Sequence, residues 1–213
     1  MNGGTAKEQR RVRRLYSLVA GIYDLRVGTF LRWRKPALDA LQPNAGDTVL
    51  DLACGTGLNF SHIIERVGPK GRIVGTDITR PMLKRARRRA DRNHWGNVTL
   101  VEGDATSLPL ASGSCDAVLC SYAMAIIPDY RTAISEAVRV LKAGGRLVLL
   151  EPKRGSALWA RGLTQLVALS GVGVVHLDRK AWEELPALLE DVSRRDYAGG
   201  LVYIASGTKA RGR

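Results

Sequence analysis

Cysteine is scarce in this chain: Cys54, Cys115 and Cys120 are the only three among 213 residues. Three thiols without paired spacing make neither a disulfide framework nor a zinc site, so a reducing compartment and no metal are expected. Long apolar runs are lacking as well. The longest, about Leu163 to Leu177, is interrupted by Gln165, Ser170, Gly171 and Gly173. It falls short of the roughly 20 apolar residues that a bilayer span requires. The first residues are polar and basic, without the apolar centre of a secretion signal. A cytoplasmic protein, soluble or peripheral on a membrane surface, is the expectation. Acidic residues are outnumbered, 20 against 33 Lys and Arg, for a formal net charge of +13. That imbalance implies an anionic partner: nucleic acid, an anionic membrane surface or an acidic substrate.

What is present reads as one globular domain with a sizeable core. Val12, Leu15, Tyr16, Val19, Ile22 and Tyr23 recur at helical spacing, and Lys7, Arg10, Arg11, Arg13 and Arg14 load the polar side. A second helix is expected over about 27–41, which makes residues 1–45 a basic amphipathic unit ahead of a 46–213 domain. From there strands and helices alternate. Strands are predicted at 48–53, 72–77, 98–102, 117–121 and 146–150, with helices at 58–67, 81–93 and 130–141. The turn Lys142-Ala143-Gly144-Gly145 precedes the fifth strand. Helices near 156–169 and 180–190 follow, then strands at 192–197 and 201–205 about a Gly199-Gly200 turn. The expected fold is α/β: a Rossmann-like, seven-stranded, mostly parallel sheet with one antiparallel strand and helices on both faces.

The chemistry concentrates in Val49-Leu50-Asp51-Leu52-Ala53-Cys54-Gly55-Thr56-Gly57, a buried strand running into a glycine turn. Asp77 ends the next strand, twenty residues after Gly57. A strand, a Gly-x-Gly turn, a helix and a strand ending in an acid is the layout of a nucleoside-cofactor site, the acid accepting from ribose hydroxyls. A dinucleotide fingerprint needs a third glycine where this chain has Phe60, and no tyrosine has a lysine four residues on. Those two absences turn the reading away from a nicotinamide cofactor. Asp104 ends the third strand, where a carboxylate can accept from an adenine amino group. Ser121-Tyr122-Ala123-Met124 leaves the fourth strand at the same edge.

The segments Val49 to Gly57, Gly75-Thr76-Asp77-Ile78, Pro81-Met82-Leu83, Gly103-Asp104-Ala105, Leu108-Pro109 and Val140 to Leu147 resemble the ubiquinone/menaquinone-type branch of class I S-adenosylmethionine (SAM) methyltransferases. The resemblance covers roughly residues 46–151. It implies SAM as cofactor, with Asp51 and the glycine loop at its amino-acid end, Asp77 at the ribose, and Asp104 with Ala105 at the adenine. Ala53, Gly55, Gly57, Asn59, Ile78, Met82 and Ser121 complete the cofactor candidates. Tyr23 and Tyr122 are the candidates nearest the chemistry. Tyr16, Tyr23, Tyr122 and His176 are the candidates for the methyl acceptor, the tyrosines because aromatic faces suit a methylated cation.

For the acceptor, several readings compete. In place of a Phe-Gly-Leu-Arg-Asn-like segment found in the quinone enzymes, this chain has Ser121 to Asp129. That segment, with Cys54 to Asn59 and Tyr197 to Tyr203, is similar to small bacterial lipid N-methyltransferases. The leading expectation is therefore N-methylation of a lipid headgroup amine at a membrane surface. A quinone or other small molecule comes second. RNA comes third, because neither an Asn/Asp-Pro-Pro-aromatic motif nor a Pro-Cys pair is present.

Overall fold

The computed structural model describes residues 3–19, 32–155 and 175–212. In chain order the elements are α1 (Gly3–Val19), α2 (Arg34–Leu41), β1 (Thr48–Leu52), α3 (Phe60–Val67), β2 (Arg72–Asp77), α4 (Arg80–Arg92) and β3 (Val98–Glu102). Then come β4 (Cys115–Ser121), α5 (Tyr130–Val140), β5 (Leu141–Pro152), a 3-10 turn (Ala181–Ala187), β6 (Glu190–Tyr197) and β7 (Val202–Thr208). The expected helix over 156–169, Tyr23 and residues 20–31 lie outside the described residues.

Seven strands form one sheet in the order β3-β2-β1-β4-β5-β7-β6. β1 is parallel to β2 and β4, with Leu50 level with Val74 on one side and Val118 on the other. Only β7 is reversed, antiparallel to both β5 and β6. The reversal turns on Gly199 and Gly200, with φ of +62° and +85°, values a side chain would resist. The central strands read as continuous apolar runs because both faces of the sheet are covered. Leu50, Val118, Cys120, Leu147 and Leu149 pack beneath α5 and the 3-10 turn. Their neighbours Val49, Leu119, Val148 and Leu150 pack beneath α2, α3 and α4.

Each helix is placed by its apolar stripe. α3 buries Phe60, Ile63 and Val67, and α4 buries Met82, Leu83, Ala86 and Ala90, with Pro81 in its first turn where a missing N–H costs nothing. Asp129 caps α5 by accepting from the Thr132 N–H at 3.1 Å. Of residues 1–45, α2 is built into the sheet: Ala37, Leu38 and Leu41 are buried in the same cluster as β4 and β5.

Two expectations are corrected. The helix near 180–190 is a 3-10 turn of 7 residues with Pro186 inside it. Proline removes an N–H that an α-helix would use. The fifth strand begins at Leu141, not after a separate turn. Leu141 pairs with Cys115 and Arg146 with Ala117, so 142–145 bulge out of a continuous strand.

The chain order reverses at β1, where β2 leaves on one side and β4 on the other. A parallel sheet opens a crevice at the carboxyl ends of its strands at such a point. No helix among the described residues is long and apolar enough to cross a membrane.

Candidate functional site

The crevice at the carboxyl ends of β1 to β4 is a real cavity. Ala53, Gly55, Asp77, Ile78, Met82, Asp104, Ala105, Ser121 and Tyr122 line it, and Tyr16 of α1 closes it from above. Ten of the residues singled out in the sequence therefore meet in one space.

The floor is a polar chain. Asp77 accepts from the Gly55 N–H at 2.9 Å with one oxygen and from the Thr79 N–H at 2.7 Å with the other. One carboxylate thus fixes the glycine loop and the start of α4. Burial raises the Asp77 pKa, and those two backbone bonds oppose the rise. Gly55 has φ of +56°, and a Cβ there would meet open space. Its glycine answers to backbone conformation and to an uncovered face on the cavity.

Asp51 and Asn59 lie behind the loop, not in the cavity wall. Asp51 is fully buried. Asn59 donates to Asp51 Oδ1 at 2.8 Å and, more weakly, to Ser121 Oγ at 3.3 Å. Arg34 of α2 donates to Asn59 Oδ1 at 2.6 Å and lies 5.5 Å from the Tyr122 ring. Asp51 Oδ2 is buried with no hydrogen-bond partner among the described residues. Burial pushes the Asp51 carboxyl up to about 7, against the Asn59 hydrogen bond and the Arg34 charge.

Gly57 is also absent from the wall. A Cβ there would stand 2.5 Å from the Phe60 ring. The second glycine therefore makes room for Phe60, the very residue that replaces a third glycine. Phe60 fills the space beneath the loop, and its ring also lies 3.0 Å from where a Cβ on Gly75 would sit.

At the adenine side of the expected site, Asp104 accepts from the Thr106 N–H at 2.9 Å and from the Gln9 side chain on α1. Arg13 of α1 pairs with Glu102 at 3.0 Å. His176, expected to serve the acceptor, points elsewhere: its Nε2 is 2.9 Å from Glu8 Oε1, and it is not part of the cavity wall. It fastens α1 from the side opposite Arg13.

Gln9, Thr76 and Thr79 add polar groups to the lining, and an apolar stretch is made by Ala123, Ile126, Ile127 and Pro128 from the segment after β4 with Val12 from α1. This segment leaves β4 through Tyr122, whose φ is +60°. It is held from one side by Glu151, which accepts from the N–H groups of Ala123, Met124 and Ala125 at 2.8, 2.9 and 3.2 Å. Arg179 holds the other side through the carbonyl oxygens of Met124 and Ile127. Neither residue was singled out in the sequence. Glu151 carried a usable signal, an acid at the end of the apolar run Leu147 to Leu150, the same mark that identified Asp77 and Asp104. Arg34, Gln9 and Arg179 carried none, because their partners are distant in the chain.

Comparison with known proteins gives the family and the fold. The model of the ubiE/COQ5 methyltransferase family matches residues 4–162. The demethylmenaquinone methyltransferase of Thermus thermophilus is 36% identical over 185 residues, which are 83% of this chain and 83% of that protein. That of Anoxybacillus flavithermus is 34% identical over 161 residues, 73% of this chain and 68% of that one. In fold, a SAM-dependent methyltransferase from Aquifex aeolicus superposes with a TM-score of 0.64 at 18% identity, over 83% of this chain and 89% of that one. With the family's model matched over most of its length and relatives above 30% identity, the chain belongs to the ubiE/COQ5 family and is a SAM-dependent methyltransferase.

Proposed function

We propose that the chain methylates a ring carbon of a reduced quinone of the demethylmenaquinone kind. The observation that carries this reading is the acceptor wall. Ala123, Ile126, Ile127 and Pro128 are apolar, and Tyr16 and Tyr122 add aromatic faces beside them. A flat, apolar ring suits that wall. Aromatic faces alone would also suit a methylated cation; the carboxylates among the described lining residues are Asp77 and Asp104, both assigned to the cofactor, so none is left for a charged headgroup. The curated relatives act on demethylmenaquinone, which supports the quinone over the lipid amine that the segment Ser121 to Asp129 had suggested.

The residues present fit SAM. Asp51 Oδ2 is a buried acceptor with no protein donor among the described residues, suited to an ammonium beneath the glycine loop. Asp77 retains lone pairs for ribose hydroxyls. Asp104 faces the cavity and would accept from an adenine amino group, and Ile78 and Met82 would supply apolar surface for its ring. When bound, SAM supplies a methyl group on a sulfonium that needs no further activation.

The chain's own work is placement and the exclusion of water. A ring carbon attacks a methyl only when a neighbouring hydroxyl feeds it electrons, so the reduced ring is the reactive form. Tyr122 and Tyr16 hold that ring by their faces. α1 covers it, and its outer surface carries the exposed Arg10, Arg11 and Arg14. We read that surface as a contact for anionic membrane, from which a lipid-soluble quinone can be drawn.

Purified protein given labelled SAM with, separately, a reduced demethylated naphthoquinone, phosphatidylethanolamine vesicles and RNA tests the reading. Label in the quinone is expected, with a net mass gain of one CH2 because the ring carbon that takes the methyl loses its hydrogen as a proton. Label in the phosphatidylethanolamine would overturn it.

A further inference from the structure

Glu151, next to last in β5, is a carboxylate buried to 1% exposure, and it has no place among the cofactor contacts. Its environment is specific. Oε1 accepts from the N–H groups of Ala123 and Met124, and Oε2 from that of Ala125. Three successive backbone donors converge on one side chain. On the opposite side of the same turn the Arg179 guanidinium takes the carbonyl oxygens of Met124 and Ile127. The turn has its own backbone bonds, from Ile126 and Ile127 N–H to the Ala123 oxygen at 2.8 and 2.9 Å. Tyr122 N–H is anchored on the Leu150 oxygen at 2.7 Å, and the Ala125 oxygen accepts from His176 N–H at 2.8 Å. Residues 123–128 carry no hydrogen-bonding side chain of their own. The side-chain bonds that hold their shape therefore come from outside the segment.

We propose that Glu151 is the positioning residue for the acceptor wall, with Arg179 as its counterpart, and that the pair sets acceptor binding independently of cofactor binding. This rests on the reading that Ala123, Ile126 and Ile127 seat the acceptor. The physical reason is a count of donors. An ionised carboxylate accepts from all three N–H groups. A protonated carboxyl, or a glutamine amide, must turn a donor toward one of them, and a buried N–H left without an acceptor destabilises the turn.

The groups facing Glu151 are Cys120 of β4, with Sγ 3.9 Å from Oε1, Tyr203 of β7, level with it across the strand pair, and Arg179. Arg179 in turn lies over the Tyr130 ring at 5.4 Å and 4.0 Å from Glu8 of α1. Burial pushes the Glu151 carboxyl up to about 7, with the three N–H groups and the Arg179 charge opposing it. The wall is therefore best ordered above that pH.

The test uses the full chain and two variants, Glu151→Gln and Arg179→Met, so that a folding defect in one does not decide the matter. Three quantities are read: the hydrogen exchange of the amides at 123–125, the affinity for SAM by calorimetry, and kcat and KM for a reduced demethylated naphthoquinone across pH 5.5 to 8.5. Both variants are expected to exchange those amides faster and to keep SAM affinity within about twofold. Both should lose at least tenfold in kcat/KM for the acceptor, mainly through KM. At saturating SAM, the parent's rise in acceptor kcat/KM through about pH 7 should be missing in Glu151→Gln. Unchanged exchange, an unchanged KM, or an equal loss of SAM affinity would overturn the proposal. If the parent does not methylate the quinol, the quinone reading falls. Exchange at 123–125 beside SAM affinity then still decides for or against Glu151.

Discussion

Gln9 and Asp104, 95 residues apart in sequence, are joined by a hydrogen bond from the Gln9 side-chain amide to the Asp104 carboxylate. Through it the first helix reaches into the cavity at the position assigned to the adenine amino group. Arg13 with Glu102 on one flank, and Glu8 with His176 on the other, hold the same helix across the opening. An amide donor from Gln9 thus takes the acceptor that the cofactor would use. Gln9→Ala is expected to bind SAM at least as tightly as the parent. Asp104→Ala should bind roughly tenfold or more weakly, since a hydrogen bond to a charged acceptor contributes about 1.5–3 kcal/mol. Calorimetric titration of both variants checks this, and a tenfold loss in Gln9→Ala would show that Gln9 helps to hold the cofactor.

Asp77 does two jobs, and the jobs can be separated. Its oxygens fix the Gly55 and Thr79 backbones while also facing the cavity. Asp77→Ala should lose both, with a lowered melting temperature and SAM affinity reduced roughly tenfold to more than a hundredfold. Asp77→Asn keeps one acceptor oxygen, so it should recover much of the melting temperature and less of the affinity. If Asp77→Asn binds SAM like the parent, the ribose contact is not made by this residue.

The parts of the site that the sequence displays are those whose chemistry is local. Asp51, Gly55 and Asp77 announce themselves by spacing along one β-α-β unit, and alternating strands and helices give the parallel sheet. What it hides depends on chain closure. Arg34 reaches Asn59 across 25 residues and Arg179 reaches Met124 across 55; Glu151 shows as an acid closing an apolar run, but its reach to Ala123 across 28 residues does not. Gly57 is the instructive case. It looks like a ligand-facing glycine, and its real neighbour is the Phe60 ring. Between 180 and 190 the leucines keep helical spacing, yet Pro186 decides the conformation.

The outer face of α1 predicts a salt-dependent membrane contact. Arg10, Arg11 and Arg14 are exposed, and Leu18 beside them is 77% exposed. Arg13 is excluded from the set because it is engaged with Glu102. Each basic residue near an anionic surface adds about 1 kcal/mol. Replacing Arg10, Arg11 and Arg14 with Gln should therefore weaken binding to anionic vesicles by roughly a hundredfold, while SAM affinity stays unchanged. Flotation at low and high salt reads the first effect, because the attraction is screened within about 8–10 Å at physiological ionic strength. A variant that floats like its parent would reduce α1 to a cover over the cavity.

Asp51 links the cofactor to protons. Burial raises its carboxyl from an ordinary 3.8 to about 7 in the folded chain. Below about pH 4 the group is protonated whether the chain is folded or not. Between about 4 and 7 the unfolded chain has given up that proton and the folded chain has kept it. Stability contributed by this group is thus full in acid and is lost as pH rises to about 7, on the order of 4 kcal/mol in all at about 1.4 kcal/mol per unit. Asp51→Asn should accordingly gain in melting temperature relative to the parent between pH 5 and pH 8. An ammonium placed against Asp51 Oδ2 would favour the ionised form and lower its pKa. SAM binding near pH 6.5 should then release a proton, and affinity should rise with pH up to about 7 and level off above it. Titration in two buffers of different ionisation enthalpy measures the released proton directly. In Asp51→Asn the proton release should vanish together with the pH dependence. If the parent binds SAM with no proton exchanged between pH 6 and 7.5, the amino-acid end of the cofactor does not meet Asp51.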